Sequence, residues 1–379
     1  MFSVGVVLLT LDRTGDAALA GALVGAITFP SIVTAPLLGA WLDLRGRRKG
    51  LMILDQALAG SALVFLAAGV GSVPNLAAIA VALLAGLTWP LSFGGFTSLI
   101  PAIVSDDLLP RANALEATSL NLGLIAGPLL AGVLAAAASP EAAVITEAGL
   151  TFAVLLLLIG FEALDSGPTR AADSLLEVAR DGLRLLGTVP PLRGTTVGGM
   201  LGLVGIGFFT VAFPFFCSEH LGARQSASGA LWAAFALGST VGALALIGVQ
   251  RRFQPHRIVI VALAAFALLL LPLPLAGSLP VAIVLLAVAS LADGPGLSAT
   301  FAVRQDWVPV DLQGQVFTTA AGMKVGCFAL GSSLAGPLVT GIGSAGTLLA
   351  AAGVNFLAAA AGWLAGRGPR SVTERQVRT

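Results

Sequence analysis

The sequence Gly39-Ala-Trp-Leu-Asp43-Leu-Arg45-Gly46-Arg47-Arg48-Lys49-Gly50 separates two long apolar segments. Four cations fall at positions 45 to 49 of a chain in which only 10% of the residues are charged. Gly39 and Asp43 are four residues apart and share a helix face, while Gly46 and Gly50 are typical of a short turn. The chain therefore reverses direction here, in water, between two apolar helices.

The composition places most of the chain in a membrane. Hydrophobic residues fill 57% of the 379 positions and the mean hydropathy is +0.96, whereas soluble proteins carry about 25% charged residues. About 20 apolar residues cross a bilayer core as a helix, and the chain divides into eleven such segments and a short one at the start. The segments lack the ~10-residue alternation of a membrane β-barrel. We therefore predict an all-α polytopic membrane protein.

The turn also resembles the signature loop between helices 2 and 3 of the major facilitator superfamily. The residues that carry the pattern G-x-x-x-D-x-x-G-R-R are Gly39, Asp43, Gly46, Arg47 and Arg48. In the family a cation usually follows the Asp directly, whereas here Leu44 takes that place and Arg45 comes next. The resemblance covers nearly the whole chain. It implies two six-helix bundles related by a pseudo-twofold axis, with the loop helping to hold one face closed; a plain positive-inside anchor is the alternative.

Twelve helices can be assigned in order. Residues 1–11 span only about 16 Å as a helix, so helix 1 is incomplete and we expect the reading frame to begin upstream of Met1. Helix 2 is predicted over 17–42, with Asp16 as N-cap and kinks at Pro30 and Pro36. The other predicted spans are 51–70, 75–100, 114–137, 141–161, 194–217, 226–250, 258–276, 281–303, 316–341 and 347–365.

These helices define the predicted domains, which are an N-terminal bundle over 1–162, a cytoplasmic linker over 163–192, a C-terminal bundle over 193–366 and a basic tail over 367–379. Within the linker, Ser174-Leu-Leu-Glu177 is typical of the capping box of an amphipathic helix. Seventeen of the twenty cations, Arg304 included, fall in loops or the tail on the side of the Gly39 loop. Only Arg13 and Arg224 fall on the other side, and Lys324 lies within the membrane. This asymmetry predicts a cell-membrane protein with both ends cytoplasmic.

The two halves repeat each other at a nearly constant offset. Arg47-Arg48 corresponds to Arg251-Arg252, and Pro90 of helix 4 corresponds to Pro295 of helix 10. Gly127-Pro128 of helix 5 corresponds to Gly336-Pro337 of helix 11. Parallel repeats of this kind form a binding site at their interface.

Helix 5 contains a glycine-proline run formed by Gly123, Gly127, Pro128 and Gly132. Small residues four apart let helices approach closely. The run resembles the motif of superfamily antiporters, which export drugs against protons, although Ala131 stands where that motif usually has glycine. Generic tight packing is the alternative.

Ionisable residues inside a membrane cost about 2.5–3.5 kcal/mol or more, so each is a functional hypothesis. Asp55 of helix 3 is either an anchor for arginines or a proton site. Glu116 of helix 5 is predicted to form a gate ion pair with Arg111 or another loop cation. Glu147 lies in the outer part of helix 6, where contact with outside water is the alternative to a coupling role.

The second half carries one further pair of intramembrane charges. Asp293-Gly-Pro-Gly interrupts helix 10 near its middle, and Lys324 of helix 11 needs a counter-charge, for which Asp293 is a candidate. Protonation of this carboxylate would be the simplest way to couple proton entry to a switch between inward and outward states. A purely structural pair is the alternative.

Aromatic and polar residues of the central helices are candidates for a substrate cavity suited to amphipathic molecules. They are Trp89, Phe93, Asn121, Phe208, Phe209 and Phe213. Each of them could instead pack or face lipid. The cysteines and histidines are too scattered for a metal site or a disulfide framework.

The resemblance implies a secondary transporter, a proton-coupled exporter of hydrophobic small molecules similar to the bacterial drug and siderophore efflux branch. We expect a monomer with a small-molecule substrate and protons as its partners, and neither a cofactor nor nucleic acid. The alternatives are a nutrient importer and a non-transporting receptor-like relative. We do not predict an enzyme, because no cluster of nucleophile, base or metal ligands occurs at membrane depth. The sequence also lacks a nucleotide-binding loop.

Overall fold

The chain is mainly helical in the residues that its computed structural model describes, which are 1–45, 48–92, 109–160, 183–245, 252–308 and 310–367. These ranges contain no strand. The α-helices, numbered in chain order, are α1 Phe2–Thr14, α2 Ala17–Thr28, α3 Ser31–Arg45, α4 Arg48–Gly69, α5 Asn75–Gly86, α6 Leu109–Ala137, α7 Pro140–Gly160, α8 Pro190–Glu219, α9 Ser228–Ala245, α10 Pro255–Leu270, α11 Leu279–Ser290, α12 Asp293–Trp307 and α13 Val310–Ala365.

The segment predicted as a single helix over 17–42 consists of two helices. α2 begins after Asp16, whose carboxylate accepts a hydrogen bond from the backbone N–H of Leu19 at 2.9 Å, so the predicted N-cap is confirmed. α2 ends at Thr28 because Pro30 has no N–H to continue the helix. Pro36 lies inside α3 without breaking it.

The predicted helices 4 and 10 are interrupted at equivalent places. α5 ends at Gly86 and α11 ends at Ser290, and a two-residue turn follows each. In both halves a proline, Pro90 or Pro295, comes just after the turn and cannot donate to the preceding helical turn. The break predicted at Asp293-Gly-Pro-Gly is confirmed. The continuous helix predicted over 75–100 is wrong at residues 87–88, and residues 93–100 lie outside the described ranges.

The two last helices are predicted over 316–341 and 347–365, but they form one helical run, α13, which bends at Gly343. The backbone there has φ 74° and ψ 170°, a conformation that glycine adopts without a steric penalty, so no separate loop is needed. Along α8, residues 199 to 207 face residues 324 to 332 in the same direction. Residues 194 to 205 of α8 face residues 362 to 351 of α13 in the opposite direction. The chain has therefore reversed after the bend at Gly343.

The helix ends lie on two faces of the bundle. One face, called the basic face here, holds the ends of α3, α7, α12 and α13 and the starts of α4, α8 and α10. There Lys49 donates to the carbonyl oxygen of Ile159 at 3.0 Å. On the opposite face Arg13 forms an ion pair with Glu141 at 2.7 Å. The described loop cations are thus divided between the faces as the sequence predicts.

Eight segments of the described chain are long and apolar enough to cross a membrane, which confirms a multi-pass protein. The count is below twelve because α13 is counted once, as Thr319–Ala365, because Asn75–Gly86 and Ala126–Ala137 are shorter apolar helices, and because α1 has only 13 residues. Arg304 requires a correction. It was predicted to lie in a loop, but α12 continues to Trp307 and leaves the Arg304 side chain only 3% exposed.

Within the described ranges, the two halves of the chain meet mainly at two places. α2 and α3 run antiparallel to the first segment of α13, from Ala17 beside Gly336 to Ala35 beside Gly322. α6 crosses α9 on the face opposite the basic one. Most of the predicted linker 163–192 and tail 367–379 lies outside the described ranges, so the domain boundaries stay predictions.

Candidate functional site

The signature loop joins α3 to α4. α3 ends at Arg45 and α4 begins at Arg48, so residues 46 and 47 separate the two helices at the place that the sequence predicts. Gly39 and Asp43 belong to the last turns of α3. The structure describes neither Gly46 and Arg47 nor the side chains of Asp43, Arg45 and Arg48. The role of the loop as a gate therefore stays a prediction.

The glycines of the helix 5 run have different surroundings. Pro128 lies inside α6 and does not interrupt it. A Cβ atom on Gly132 would come within 2.5 Å of the backbone oxygen of Ser226, so only glycine fits at this crossing with the other half. Gly127 faces the start of α1, and Gly123 faces open space. The close packing that the run predicts thus occurs between the halves at Gly132, and the antiporter role stays a prediction.

Asp55 lies at the centre of a buried polar cluster in the first half. Its side chain is 1% exposed. Oδ2 accepts hydrogen bonds from Ser92 Oγ at 2.6 Å and from Gln56 Nε2 at 2.9 Å. Oδ1 is buried and has no hydrogen-bond partner in the described part of the chain. The described partners of Asp55 are thus a hydroxyl and an amide rather than an arginine.

The two candidate glutamates of the first half, Glu116 and Glu147, lie on neighbouring helices. Glu116 belongs to α6, but its side chain, like that of its predicted partner Arg111, is outside the described part. Glu147 belongs to α7 and is partly buried, with the backbone N–H of Phe2 donating to its carboxylate. Its Oε2 atom is buried without a partner among the described residues. Contact with outside water, the alternative for Glu147, is therefore restricted.

Asp293 lies at the break between α11 and α12, midway between Leu279 and Trp307. Its Oδ2 accepts a hydrogen bond from Ser239 Oγ of α9 at 2.9 Å. The next residue, Gly294, packs directly against the backbone of Ser239, because a glycine leaves room for this close approach. The break thus positions a carboxylate near the middle of the candidate membrane span Leu279–Arg304, where it is hydrogen-bonded to a neighbouring helix.

Lys324 lies in the first segment of α13 and interacts electrostatically with Asp293. Both side chains are described, and they do not form a direct ion pair. Arg304 is a second cation close enough to Lys324 to repel it. Sequence analysis missed Arg304 and the contact with Ser239, since helix boundaries and pairing between helices are not visible in a single sequence. The charges of this site, one carboxylate and two cations, come from α12 and α13.

The position of Lys324 depends on Gly199 of α8. A Cβ atom on Gly199 would lie 2.6 Å from Lys324 Cε and 2.9 Å from Nζ. We expect Gly199→Ala to displace the ammonium group and slow gradient-driven transport severalfold. Thermal stability should change little, because the flexible side chain can give way and alanine favours a helix by about 0.5–1 kcal/mol. Initial transport rates and melting temperature are the measurements. Gly353→Ala is the control, as open space surrounds Gly353, and equal transport by both variants would contradict the prediction.

The aromatic candidates of helix 7 lie in a packed cluster. Phe209 and Phe213 are fully buried and stack with ring centroids 4.5 Å apart. Trp232 of α9 meets both rings edge-on. Phe208 is 4% exposed, and Trp89 packs on Phe2 with ring centroids 5.3 Å apart. Phe93 and the side chain of Asn121 are outside the described part. A role of these residues in a substrate cavity stays a prediction.

Comparisons with known proteins agree with this geometry. The sequence matches the profile of the Major Facilitator Superfamily over residues 1–279 and 195–379. It is 28% identical over 359 residues to the multidrug efflux pump Tap of Mycolicibacterium fortuitum, covering 90% of this chain and 86% of that protein. It is 27% identical over 361 residues to the enterobactin exporter EntS of Citrobacter koseri, covering 92% of this chain and 79% of that protein.

The same comparison extends to solved structures. The crystal structure of the nucleoside transporter NupG superimposes with a TM-score of 0.68 at 16% sequence identity, covering 97% of this chain and 95% of that chain. This likeness confirms the predicted fold class of two related six-helix bundles. Because the family profile spans the chain from residue 1 to residue 379, this protein belongs to the Major Facilitator Superfamily.

Proposed function

We propose that this transporter exports hydrophobic or amphipathic small molecules from the cell in exchange for protons, by alternating access. Membership of the family makes the chain a membrane transporter and not an enzyme. Two relatives that align over about nine-tenths of it are named a multidrug efflux pump and an enterobactin exporter. These names support export, and they favour organic molecules over small ions as substrates.

The observation that carries proton coupling is the carboxylate of Asp293 at the break in helix 10. A charge at this depth costs about 2.5–3.5 kcal/mol or more, so its presence needs a functional or structural reason. Asp293 has a hydroxyl partner in Ser239, and Lys324 interacts with it without a direct ion pair. Protonation of Asp293 would remove the attraction that holds Lys324 towards α12. A proton taken up here would therefore change the forces between α12 and α13.

A change in the forces on Lys324 can act on the interface between the halves through α13. α13 carries Lys324, and its first segment also packs along α2 and α3 of the other half. A shift in the charge balance at Lys324 therefore acts on the helix that closes this interface. Such a switch needs only a modest free-energy difference, since about 1.4 kcal/mol changes a two-state ratio tenfold.

Transport by the purified protein in vesicles tests the proposal. Proteoliposomes with an acidic lumen and the basic face outward should accumulate a fluorescent amphipathic dye against its gradient. A protonophore should abolish the accumulation, because it removes the driving force. Accumulation that depends on a sodium gradient would contradict proton coupling. Dye leaving the acidic lumen together with protons would indicate an importer and contradict export.

A further inference from the structure

A groove opens on the basic face where the starts of α8 and α10 meet the end of α13. Its volume is about 440 Å³, and its lining includes Thr195 of α8, Arg257 of α10 and Trp363 of α13. The three helices belong to the candidate membrane spans Pro190–Glu219, Pro255–Leu275 and Thr319–Ala365, each of which starts or ends at the groove. The groove therefore lies at the boundary between hydrocarbon and headgroups.

The mouth of the groove is cationic. Arg257 and Arg367 are both exposed beside it, and His256 lines the same rim. The guanidinium group of Arg367 stacks on the Trp363 ring, 3.2 Å from its centroid, so the charge is held at the groove. Among the described residues, the lining includes no acidic side chain that would neutralise the two guanidinium groups. The first turn of α10 adds backbone N–H groups and the positive end of a helix dipole.

The end of α13 would by itself repel an anion, because the last carbonyl groups of a helix carry partial negative charge. Arg193 of α8 removes much of this repulsion. Its Nε atom donates to the carbonyl oxygen of Ala365 at 2.7 Å, and one terminal nitrogen donates to that of Arg367 at 2.9 Å. Two carbonyl oxygens at this end of the helix thus have hydrogen-bond donors. The same helix end places Arg367 beside the opening.

The inner wall of the groove is apolar and continues onto the outer surface of the bundle. Ile260 and Val261 of α10 form one side, and Val261 is 66% exposed. Trp363 forms the other side and is 50% exposed, at the depth where tryptophan anchors proteins to membrane interfaces. Contact between Gly194 and Gly362 forms the floor, because a Cβ atom on Gly194 would lie 2.7 Å from the Gly362 oxygen. Without side chains at these glycines, the space remains open.

We infer that this groove binds an anionic phospholipid of the leaflet at the basic face, with the headgroup phosphate between Arg257 and Arg367 and one acyl chain along Val261. The cationic rim and the apolar wall together match a molecule with a phosphate and a hydrocarbon tail. A soluble phosphate compound would use only the rim. Basic pockets between membrane helices commonly bind the headgroups of anionic lipids.

Lipid retention by the purified full-length protein tests this inference. Detergent-solubilised protein is mixed with phosphatidylglycerol or phosphatidylcholine, and bound lipid is counted by native mass spectrometry. The unaltered protein should retain phosphatidylglycerol in preference to phosphatidylcholine. One basic residue at an anionic surface is worth about 1 kcal/mol, or about fivefold in binding. The double variant Arg257→Ala/Arg367→Ala should therefore retain about 25-fold less phosphatidylglycerol.

Arg252→Ala is the matched control, since Arg252 is an exposed cation of the same face that does not line the groove. Retention that stays near the unaltered level in the control and falls in the double variant supports the lipid site. Equal loss in both, or equal binding of the two lipids, overturns it. Competition by soluble glycerol phosphate as strong as that by the lipid also overturns it, because the apolar wall would then contribute nothing.

Discussion

Asp293→Asn is expected to abolish pH-gradient-driven accumulation of substrate while leaving the protein folded. Asparagine has the same shape as aspartate and can still accept the hydrogen bond that Ser239 donates at 2.9 Å. It can neither carry a proton nor attract Lys324. The pH gradient could then no longer change the forces between α12 and α13. Accumulation in proteoliposomes should therefore fall to the level of protein-free vesicles.

The comparison needs a variant that changes the same functional group elsewhere. Asp306→Asn serves this purpose, because Asp306 belongs to the same helix, α12, but is exposed at the basic face. It should transport like the unaltered protein. Melting temperatures of both variants should stay within a few degrees, since a hydrogen bond of about 1 kcal/mol is retained. Undiminished accumulation by Asp293→Asn would remove this residue from the coupling mechanism.

Gly336→Ala is expected to force α13 away from α2 and to open the interface on the face opposite the basic one. A Cβ atom on Gly336 would lie 2.5 Å from Ala18 Cα, and backbone cannot give way as a side chain can. Overpacking of this kind costs about 1–3 kcal/mol. Because the cost falls only on the state in which the two helices touch, it should shift the equilibrium towards the open state by roughly 5- to 150-fold.

A cysteine reporter measures this shift. The side chain of Ser333 is partly buried and faces Gly25 of α2 at the same interface. In a background in which Cys217 and Cys327 are replaced by alanine, Ser333→Cys should react with a maleimide at least severalfold faster when Gly336→Ala is present. Gly341→Ala is the control because open space surrounds Gly341 in the same helix. An unchanged labelling rate in Gly336→Ala would show that α2 and α13 do not separate during transport.

Patterns that are local in the chain were sufficient for much of the fold. Asp16 caps α2 as predicted, and α3 ends and α4 begins where the cations and glycines predict. The break next to Asp293 was also visible, because Pro295 has no N–H to bond to the preceding helical turn and the glycines on either side of it disfavour a helix interior. Helix ends were harder to predict. Arg304 was assigned to a loop because it is a charged residue at the end of an apolar segment, whereas α12 continues to Trp307.

The candidate site shows the same division. Asp55, Asp293 and Lys324 stand out in sequence because charges are rare in apolar segments. Their partners do not stand out, since Ser92 and Ser239 are small polar residues of a kind that occurs in many membrane helices. The need for glycine at positions 199, 294 and 336 is likewise invisible, because it depends on which atom of another helix lies opposite.

Local patterns in the chain were enough to predict that this protein crosses a membrane many times, which face carries its cations, and that its two halves repeat each other. These properties follow from hydropathy, charge and proline spacing, each of which acts over a few neighbouring residues. Which helices touch depends on their packing in three dimensions. It brought Asp293 to Ser239, Lys324 into the space beside Gly199, and three helix ends together around the cationic groove. Contacts between residues more than fifty positions apart arise from packing, and no local pattern specifies them.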